Sequence, residues 1–385
     1  AYLVSVALLA SAFGTWLQCR QRGPVGSGLL SVTGTSFSFI GPLVMAGQAG
    51  GLGLMIGVSL VAAPVLILLA PFLSRLRAVF TPLVSGVVVI LIGASLLPTA
   101  FLGMAAPVAP GAPGWAGLLV AGVVIGVIVG AQASGRPWAR IAGAALGIAA
   151  GCLACGAFGG LRAPDPGDGS WFTQPRLFPH GFAFDWKLLP PFVFIYLVSM
   201  LEAMGDLTAT AQLSGLPTEG ASHWRRLSGG VMADGIVSTL AALFGCFPSA
   251  TYAQNNGVIQ VTGVASRRVA YQMAVLLALL GLFPFFGRWV TVMPASVLGG
   301  LALLMFGLVT VAGVRLVAAS GLGQREGVMV AVSLGVGLGL PTQPGLVASL
   351  PEFLRPLLES GISAGGLTIL LMTLVWRPAA GNAPA

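Results

Sequence analysis

Long apolar segments recur along this chain, and they restrict its possible folds more than any other feature. Blocks of roughly 18 or more apolar residues are long enough to cross a bilayer as helices. With 56% apolar and only 7% charged residues among 385, the chain is unlike soluble domains, in which about 25% of residues are charged. We expect helices at about 1–17, 52–73, 80–103, 115–132, 139–158, 188–214, 228–247, 269–287, 291–314, 327–341 and 361–376. Two shorter segments at about 29–46 and 249–264 bring the prediction to about thirteen membrane segments.

The net charge of +8 is distributed as in a multi-pass membrane protein. When successive loops are assigned to alternate sides, 13 of the 18 basic residues fall on one side, and that side is expected to be cytoplasmic. They are Arg20, Arg22, Arg75, Arg77, Arg136, Arg140, Arg225, Arg226, Arg267, Arg268, Arg315, Arg325 and Arg377. The other five are Arg162, Arg176, Lys187, Arg288 and Arg355. This asymmetry argues against nucleic acid as a partner.

The two short segments have the same internal order. A few residues suited to extended backbone, around 32–37 and 249–253, precede an apolar or amide-containing half-helix. The first half-helix is expected at about Ser36 to Ala46, and the second from about Gln254. Interrupted segments at matching places in two halves indicate an inverted-repeat transporter. Because backbone at membrane depth must be paired or line a cavity, we expect the two extended pieces to face each other as strands.

Polar side chains in the apolar segments mark the candidate site. Three carboxylates, Glu202, Asp206 and Asp234, lie within predicted helices, where each costs roughly 3 kcal/mol on insertion scales. Glu202 and Asp206 are four residues apart and therefore share one helical face. Because two nearby carboxylates resist double ionisation, the pair is suited to taking up and releasing a proton. Three consecutive amides, Gln254 to Asn256, start the second half-helix.

Four motifs together carry a resemblance to a known family. They are Gly34-Thr35-Ser36-Phe37-Ser38-Phe39, Leu201-Glu202-Ala203-Met204-Gly205-Asp206, Ala233-Asp234-Gly235, and the run from Ala253 to Gly263. The chain resembles the nucleobase–ascorbate transporters (the nucleobase:cation symporter family), in particular the branch of bacterial xanthine and uric acid permeases. The resemblance implies an all-α polytopic fold of seven-plus-seven inverted repeats, in which two discontinuous segments contain short antiparallel strands. It also implies one more helix before residue 1, so we expect the chain to lack the first of fourteen.

The same resemblance implies a division into domains. Residues 1–73 and 187–288 correspond to the two halves of a core domain, and 74–158 and 289–385 to the two halves of a gate domain. Residues 159–186 are expected to form an external loop. A homodimer through the gate domain is implied as well.

Residue roles are also carried over from the family. Glu202 is expected to accept hydrogen bonds from ring N–H groups of a base, with Gln254, Asn255 and Phe37 completing substrate binding. Asp206 and Asp234 are expected to serve proton coupling. Selectivity and support are assigned to Ser36, Asn256, Thr262 and Gly263. The family's first-helix His has no counterpart here, because His223 is placed in a cytoplasmic loop and His180 in the external one.

Structural roles compete with these functional ones. Glu202 or Asp206 can bond to backbone, Asp234 can tie two helices together, and Phe37 can be ordinary core. For Asn256 and Gln260 we favour buttressing of the half-helix over contact with substrate. For the glycines of the repeated GxxxG pattern at 143–151 we favour close packing within the chain over an oligomer contact.

These observations predict a proton-coupled symporter that imports a purine base, xanthine and/or uric acid, across the bacterial cytoplasmic (inner) membrane by alternating access. The proton is the expected coupling ion; no metal or other cofactor is expected, and membrane lipid surrounds the protein. Purine is favoured over uracil because Gln254 stands where uracil carriers typically have Glu. The alternatives are a uracil or other nucleobase permease and an anion transporter or channel on the same fold. A membrane enzyme is disfavoured, since no nucleophile–base pair or cofactor loop is recognisable.

Overall fold

The computed structural model describes residues 2–76, 81–161, 171–252, 254–351, 355, 358 and 360–376. The predictions above also involve residues outside the described ones: Arg77, Arg162, Ala253 and Arg377. The helices of the first half are α1 Tyr2–Cys19, α2 Ile40–Ala62, α3 Pro64–Leu69, α4 Leu73–Leu76, α5 Pro82–Met104, α6 Ala116–Ala133 and α7 Pro137–Ala157. Those of the second half are α8 Leu189–Leu213, α9 Gly220–Leu243, α10 Gln254–Thr262, α11 Arg267–Leu282, α12 Pro284–Thr291, α13 Ala295–Ala319, α14 Gln324–Gly339, α15 Pro344–Ala348 and α16 Gly361–Val375. Strands β1 Thr33–Thr35 and β2 Ser249–Thr251 complete the fold.

Seven helical stretches in the described part of the chain are long and apolar enough to cross a membrane. They are Tyr2–Cys19, Phe37–Arg75, Pro82–Met104, Ala116–Ala133, Pro137–Ala157, Trp186–Leu213 and Ala295–Ala319. A bent pair, α11 with α12, gives an eighth. The protein is therefore a multi-pass membrane protein.

The two strands form the only sheet in the part of the chain that the structure describes. They pair antiparallel, with Thr33 opposite Thr251 and Thr35 opposite Ser249. Beyond the strand ends, Ser36 N donates to Pro248 O at 2.9 Å and Tyr252 N donates to Val32 O at 2.9 Å. The predicted pairing is confirmed, and it satisfies backbone groups that hydrocarbon would leave without partners.

The half-helices leave this strand pair from opposite ends. After β1, a 3₁₀-helix at Phe37–Phe39 leads into α2; after β2, α10 begins at Gln254. Because the strands are antiparallel, the two half-helices start at opposite ends of the strand pair, each beside the beginning of the partner strand. The first half-helix ends where Gly50 and Gly51 leave helical backbone, with φ of +69° at Gly51. A positive φ is accessible to glycine without a Cβ penalty.

Two predicted helices were wrong in their boundaries. The expected helix at 269–287 is broken, and its two pieces, α11 and α12, are bent by 76°. The break follows from Pro284, which lacks a backbone donor and disfavours helical backbone at Phe283 (φ −94°, ψ 107°). Helix α9 begins at Gly220 rather than near 228, so His223 lies within this helix and is buried (4% exposed), not in a loop.

The helices pack in two groups. Helices α1, α3, α8, α9 and α11 pack against one another and against the strand pair, while α5, α6, α7, α13, α14 and α16 form the second group. The predicted core and gate domains remain a proposal. In the second group, added Cβ atoms at Gly147 and Gly151 would meet side chains of α6, which accords with close packing of these glycines within the chain.

Candidate functional site

Glu202 lies on α8 and is held by the first discontinuous segment. The hydroxyl of Ser38 donates to both of its carboxylate oxygens, at 3.1 Å to Oε1 and 2.8 Å to Oε2. Ser38 belongs to the 3₁₀-turn that opens the first half-helix, and its own N–H is capped by the Ser36 hydroxyl at 3.3 Å. The chain thus brings Glu202 and Ser36 to the same half-helix start, with Ser38 between them.

Phe37 stands at the edge of this arrangement. Its side chain is 38% exposed, whereas the following Phe39 is fully buried. The Phe37 ring meets the ring of Phe306 on α13 edge to face, with centroids 5.7 Å apart. Phe37 therefore bridges the two helix groups while leaving part of its surface open, unlike an ordinary core residue.

The three amides of α10 have three different environments. Gln254 is exposed, and its side chain has no hydrogen-bond partner among the described residues. Asn255 Nδ2 donates to Leu30 O at 2.6 Å, which fixes the start of α10 to the segment before β1. The roles of Gln254 and Asn255 in substrate binding stay predictions.

Asn256 connects α10 to α8. Its Nδ2 donates to the backbone oxygen of Asp206 at 3.3 Å, and its Oδ1 accepts from the Thr210 hydroxyl at 2.6 Å. These bonds place the start of α10 against α8, one turn after Glu202. Asn256 thus holds α10 against α8, and its role in selectivity or support stays a prediction.

Asp234 is almost fully buried on α9, at 1% exposure. Gln18 of α1 donates through Nε2 to Asp234 Oδ1 at 2.9 Å and to Gly230 O at 2.8 Å. Asp234 therefore joins α9 to α1, and the backbone N–H of Thr251 in β2 also lies close to its carboxylate. Its role in proton coupling stays a prediction.

Asp206 lies between the other two carboxylates. It interacts electrostatically with both Glu202 and Asp234 and lies close to the side chain of Thr251 in β2. The structure thus gathers all three intramembrane carboxylates around the strand pair. Thr262 and Gly263 do not share hydrogen bonds with these carboxylates in the described part of the chain; they are exposed at the C-terminal end of α10. The Thr262 hydroxyl donates to Val258 O at 2.8 Å, and Gly263 has φ of +67°.

Two paired discontinuous segments, carrying polar side chains into a multi-helix membrane body, define an inverted-repeat transporter. In accordance with this class, the fold is similar to the transmembrane domain of a cyanobacterial bicarbonate transporter, BicA, with a TM-score of 0.51 and 16% identity. The similarity covers 97% of this chain and 95% of that one. At this identity it supports the fold alone.

The sequence comparisons identify the family. Residues 1–346 match the model of a permease family. The chain is 41% identical over 388 residues to the xanthine permease XanQ of Escherichia coli K12, covering 97% of this chain and 83% of the relative. It is 30% identical over 381 residues to the uric acid permease PucJ of Bacillus subtilis 168, covering 97% and 84%. The protein belongs to this permease family, the nucleobase–ascorbate transporters, and is a membrane transporter.

Sequence reasoning missed three residues that organise the site. Ser38 was quoted within a motif without a role, although its spacing of two from Ser36 is typical of a capped half-helix. Thr210 follows Asp206 by one helical turn, which was a usable signal. Gln18 was missed because one amide in an apolar helix has no partner in sequence; its partner is 216 positions away.

Proposed function

We propose that the protein is a proton-coupled symporter that imports a purine base, xanthine and/or uric acid, by alternating access. The observation that carries this proposal is the geometry of Glu202. Its carboxylate accepts a hydroxyl hydrogen bond at the start of a half-helix, next to a partly exposed aromatic ring. The printed names of the relatives XanQ and PucJ support the substrate class.

Each candidate residue suits one feature of such a base. Xanthine presents ring N–H donors and carbonyl acceptors at its edges; a carboxylate accepts from the former, and an amide serves both. Glu202 would take ring N–H groups on the lone pairs that Ser38 leaves open, while the Ser38 hydroxyl holds the carboxylate in place. Gln254, exposed at the first residue of α10, would use its free amide and the nearby helix N-terminus for a carbonyl oxygen. The exposed part of Phe37 would pack against the flat ring.

Proton coupling is assigned to Asp206 and Asp234. Asp234 is almost fully buried and Asp206 is half-buried. Asp206 interacts with the other two carboxylates, so a proton on one affects its neighbours. In the proposed cycle the core domain (1–73 and 187–288) moves against the gate domain (74–158 and 289–385). Association of two copies through the gate domain is part of the proposal.

Uptake of radiolabelled xanthine tests the proposal in bacteria that lack their own base transporters and express the complete gene. Glu202→Gln keeps the shape of the side chain but removes its charge, and we expect at least a tenfold loss of apparent affinity, because hydrogen bonds to charged groups contribute about 1.5–3 kcal/mol. Glu219→Gln is the matched control, since Glu219 is exposed before α9 and does not cap that helix with its side chain. Gln254→Ala is paired with Gln260→Ala, an exposed amide of the same helix.

Competition by uric acid, guanine and uracil defines the preferred base, and an uncoupler tests the driving force. Normal uptake by Glu202→Gln would remove Glu202 from the binding site. Uptake that persists after the proton gradient collapses would refute proton coupling. Sulfate, chloride or bicarbonate flux without base transport would instead establish an anion transporter on this fold.

A further inference from the structure

Gln18 is an isolated polar side chain in the apolar helix α1, and it is fully buried. Its amide nitrogen carries two hydrogens, and both are used: one bonds to Asp234 Oδ1 at 2.9 Å and the other to Gly230 O at 2.8 Å. The bond to Gly230 alone would be enough to join α1 to α9. The second bond directs the amide specifically to the carboxylate of Asp234.

Two buried acceptor atoms at the Gln18–Asp234 pair lack a donor. Gln18 Oε1 and Asp234 Oδ2 are both buried, and neither has a hydrogen-bond partner in the described part of the chain. Such atoms are usually paired in folded proteins, so two on one bonded pair of side chains call for an explanation. Both oxygens can only accept. A proton on Asp234 would add the donor that this pair lacks.

The charged groups that face Asp234 are few. From α8, Asp206 interacts with it electrostatically, and from β2 the backbone N–H of Thr251, which can only donate, lies close to its carboxylate. The segments of α2 and α3 contain no ionisable side chain, and Arg75 on the adjacent α4 is exposed. On α9 itself, His223, Arg225 and Arg226 lie two or more turns away. Gln18 is therefore the neighbour that can bind both the ionised and the protonated form of Asp234, since an amide both donates and accepts.

We propose that Gln18 is a positioning residue for proton exchange at Asp234: it donates to the carboxylate when the proton has left and accepts from the acid when the proton is bound. This inference rests on the proposed proton-coupled function. It predicts that Gln18 affects steps in which a proton is gained or lost, and leaves movement of the fully loaded carrier largely intact.

Two measurements on the complete protein separate these steps. One is accumulation of radiolabelled xanthine driven by a proton gradient; the other is exchange of xanthine across membranes without a gradient, which requires no net proton release. For Gln18→Leu, normalised to the amount of protein in the membrane, we expect accumulation to fall at least tenfold and exchange to change less than twofold. Ser5→Ala is the control, because Ser5 is equally buried on α1 and its hydroxyl has no partner among the described residues.

Gln18→Met provides a second variant of similar length, which decides the matter if Gln18→Leu does not reach the membrane. It fills the same space without a titratable group and removes the N–H donor. Because that donor favours the ionised carboxylate, its loss should move the pH of half-maximal accumulation upward by about one unit. Equal losses of accumulation and exchange without a pH shift would overturn the proposal and leave Gln18 a structural tie. Absence of proton-dependent uptake by the unaltered protein would instead refute the proposed function.

Discussion

Gly34 is the position at which adding a single methyl group should do most damage to the strand pair. A Cβ placed there would lie 2.5 Å from the Tyr252 hydroxyl oxygen and 2.6–2.7 Å from two ring carbons, well inside normal contact. The ring cannot turn away freely, because its hydroxyl donates to Thr35 O at 3.0 Å. Gly34→Ala must therefore either separate β1 from β2 or displace Tyr252.

The cost can be worked from these two contacts. Overpacking of this kind costs about 1–3 kcal/mol, and loss of the Tyr252 hydrogen bond about 1 kcal/mol more. We expect a destabilisation of about 3 kcal/mol. At about 2 °C per kcal/mol for a long chain, the melting temperature of the purified protein in detergent should fall by roughly 6 °C. Xanthine uptake should fall with it, since both half-helices start at the strand pair.

A control and a double variant make the test specific. Gly257→Ala adds the same methyl group in α10, where no atom lies within 4 Å, and should be neutral or slightly stabilising. In a Tyr252→Ala background the ring is gone, and Gly34→Ala should cost at least about 2 kcal/mol less than in the unaltered protein. If Gly34→Ala melts like the unaltered protein, or costs the same in both backgrounds, the steric argument fails.

Three further changes test other contacts. Ser38→Ala removes the hydrogen bond that holds the Glu202 carboxylate and should weaken apparent affinity for xanthine about tenfold. Ser38→Thr keeps the hydroxyl, and its affinity should stay within about threefold of the unaltered protein. Equal effects of the two variants would contradict a role for the hydrogen bond. Asn256→Leu leaves the Thr210 hydroxyl without its 2.6 Å partner on α10 and should lower the melting temperature by about 4 °C, and an unchanged value would show that α10 is held by other contacts. Gly147→Leu should separate α7 from α6 and destabilise the single chain, because even a Cβ at Gly147 would lie 2.5 Å from Ile128. A change in oligomeric state without a change in stability would show instead that this glycine face is an oligomer contact.

The sequence was sufficient for the class of fold because the strongest signals are local. Apolar segment length, the Arg asymmetry and the two interrupted segments each follow from the cost of polar groups in hydrocarbon. The start of α10 at Gln254 and the facing strands were both predicted in this way. Helix boundaries were less accessible, since Pro284 breaks a segment that is apolar throughout, and α9 extends through residues too polar to predict as membrane helix.

The site was predictable in composition but not in its connections. Glu202, Asp206 and Asp234 stand out in sequence because carboxylates are costly in a membrane. Their partners do not stand out, because serine, threonine and a single glutamine are tolerated in apolar helices. Which hydroxyl reaches Glu202, or which amide reaches Asp234, depends on tertiary contacts between residues more than 160 positions apart.

The strand pair also sets an order for assembly during translation. The Tyr252 hydroxyl and its acceptor on Thr35 are 217 positions apart, and at ribosomal rates of about 5–20 residues per second the second emerges roughly 10–40 seconds after the first. Throughout that interval the backbone of β1 has no strand to pair with. In the nascent first half, β1 must therefore stay hydrated or be held by the insertion machinery. It enters the bilayer fully only when β2 has been synthesised and can pair with it.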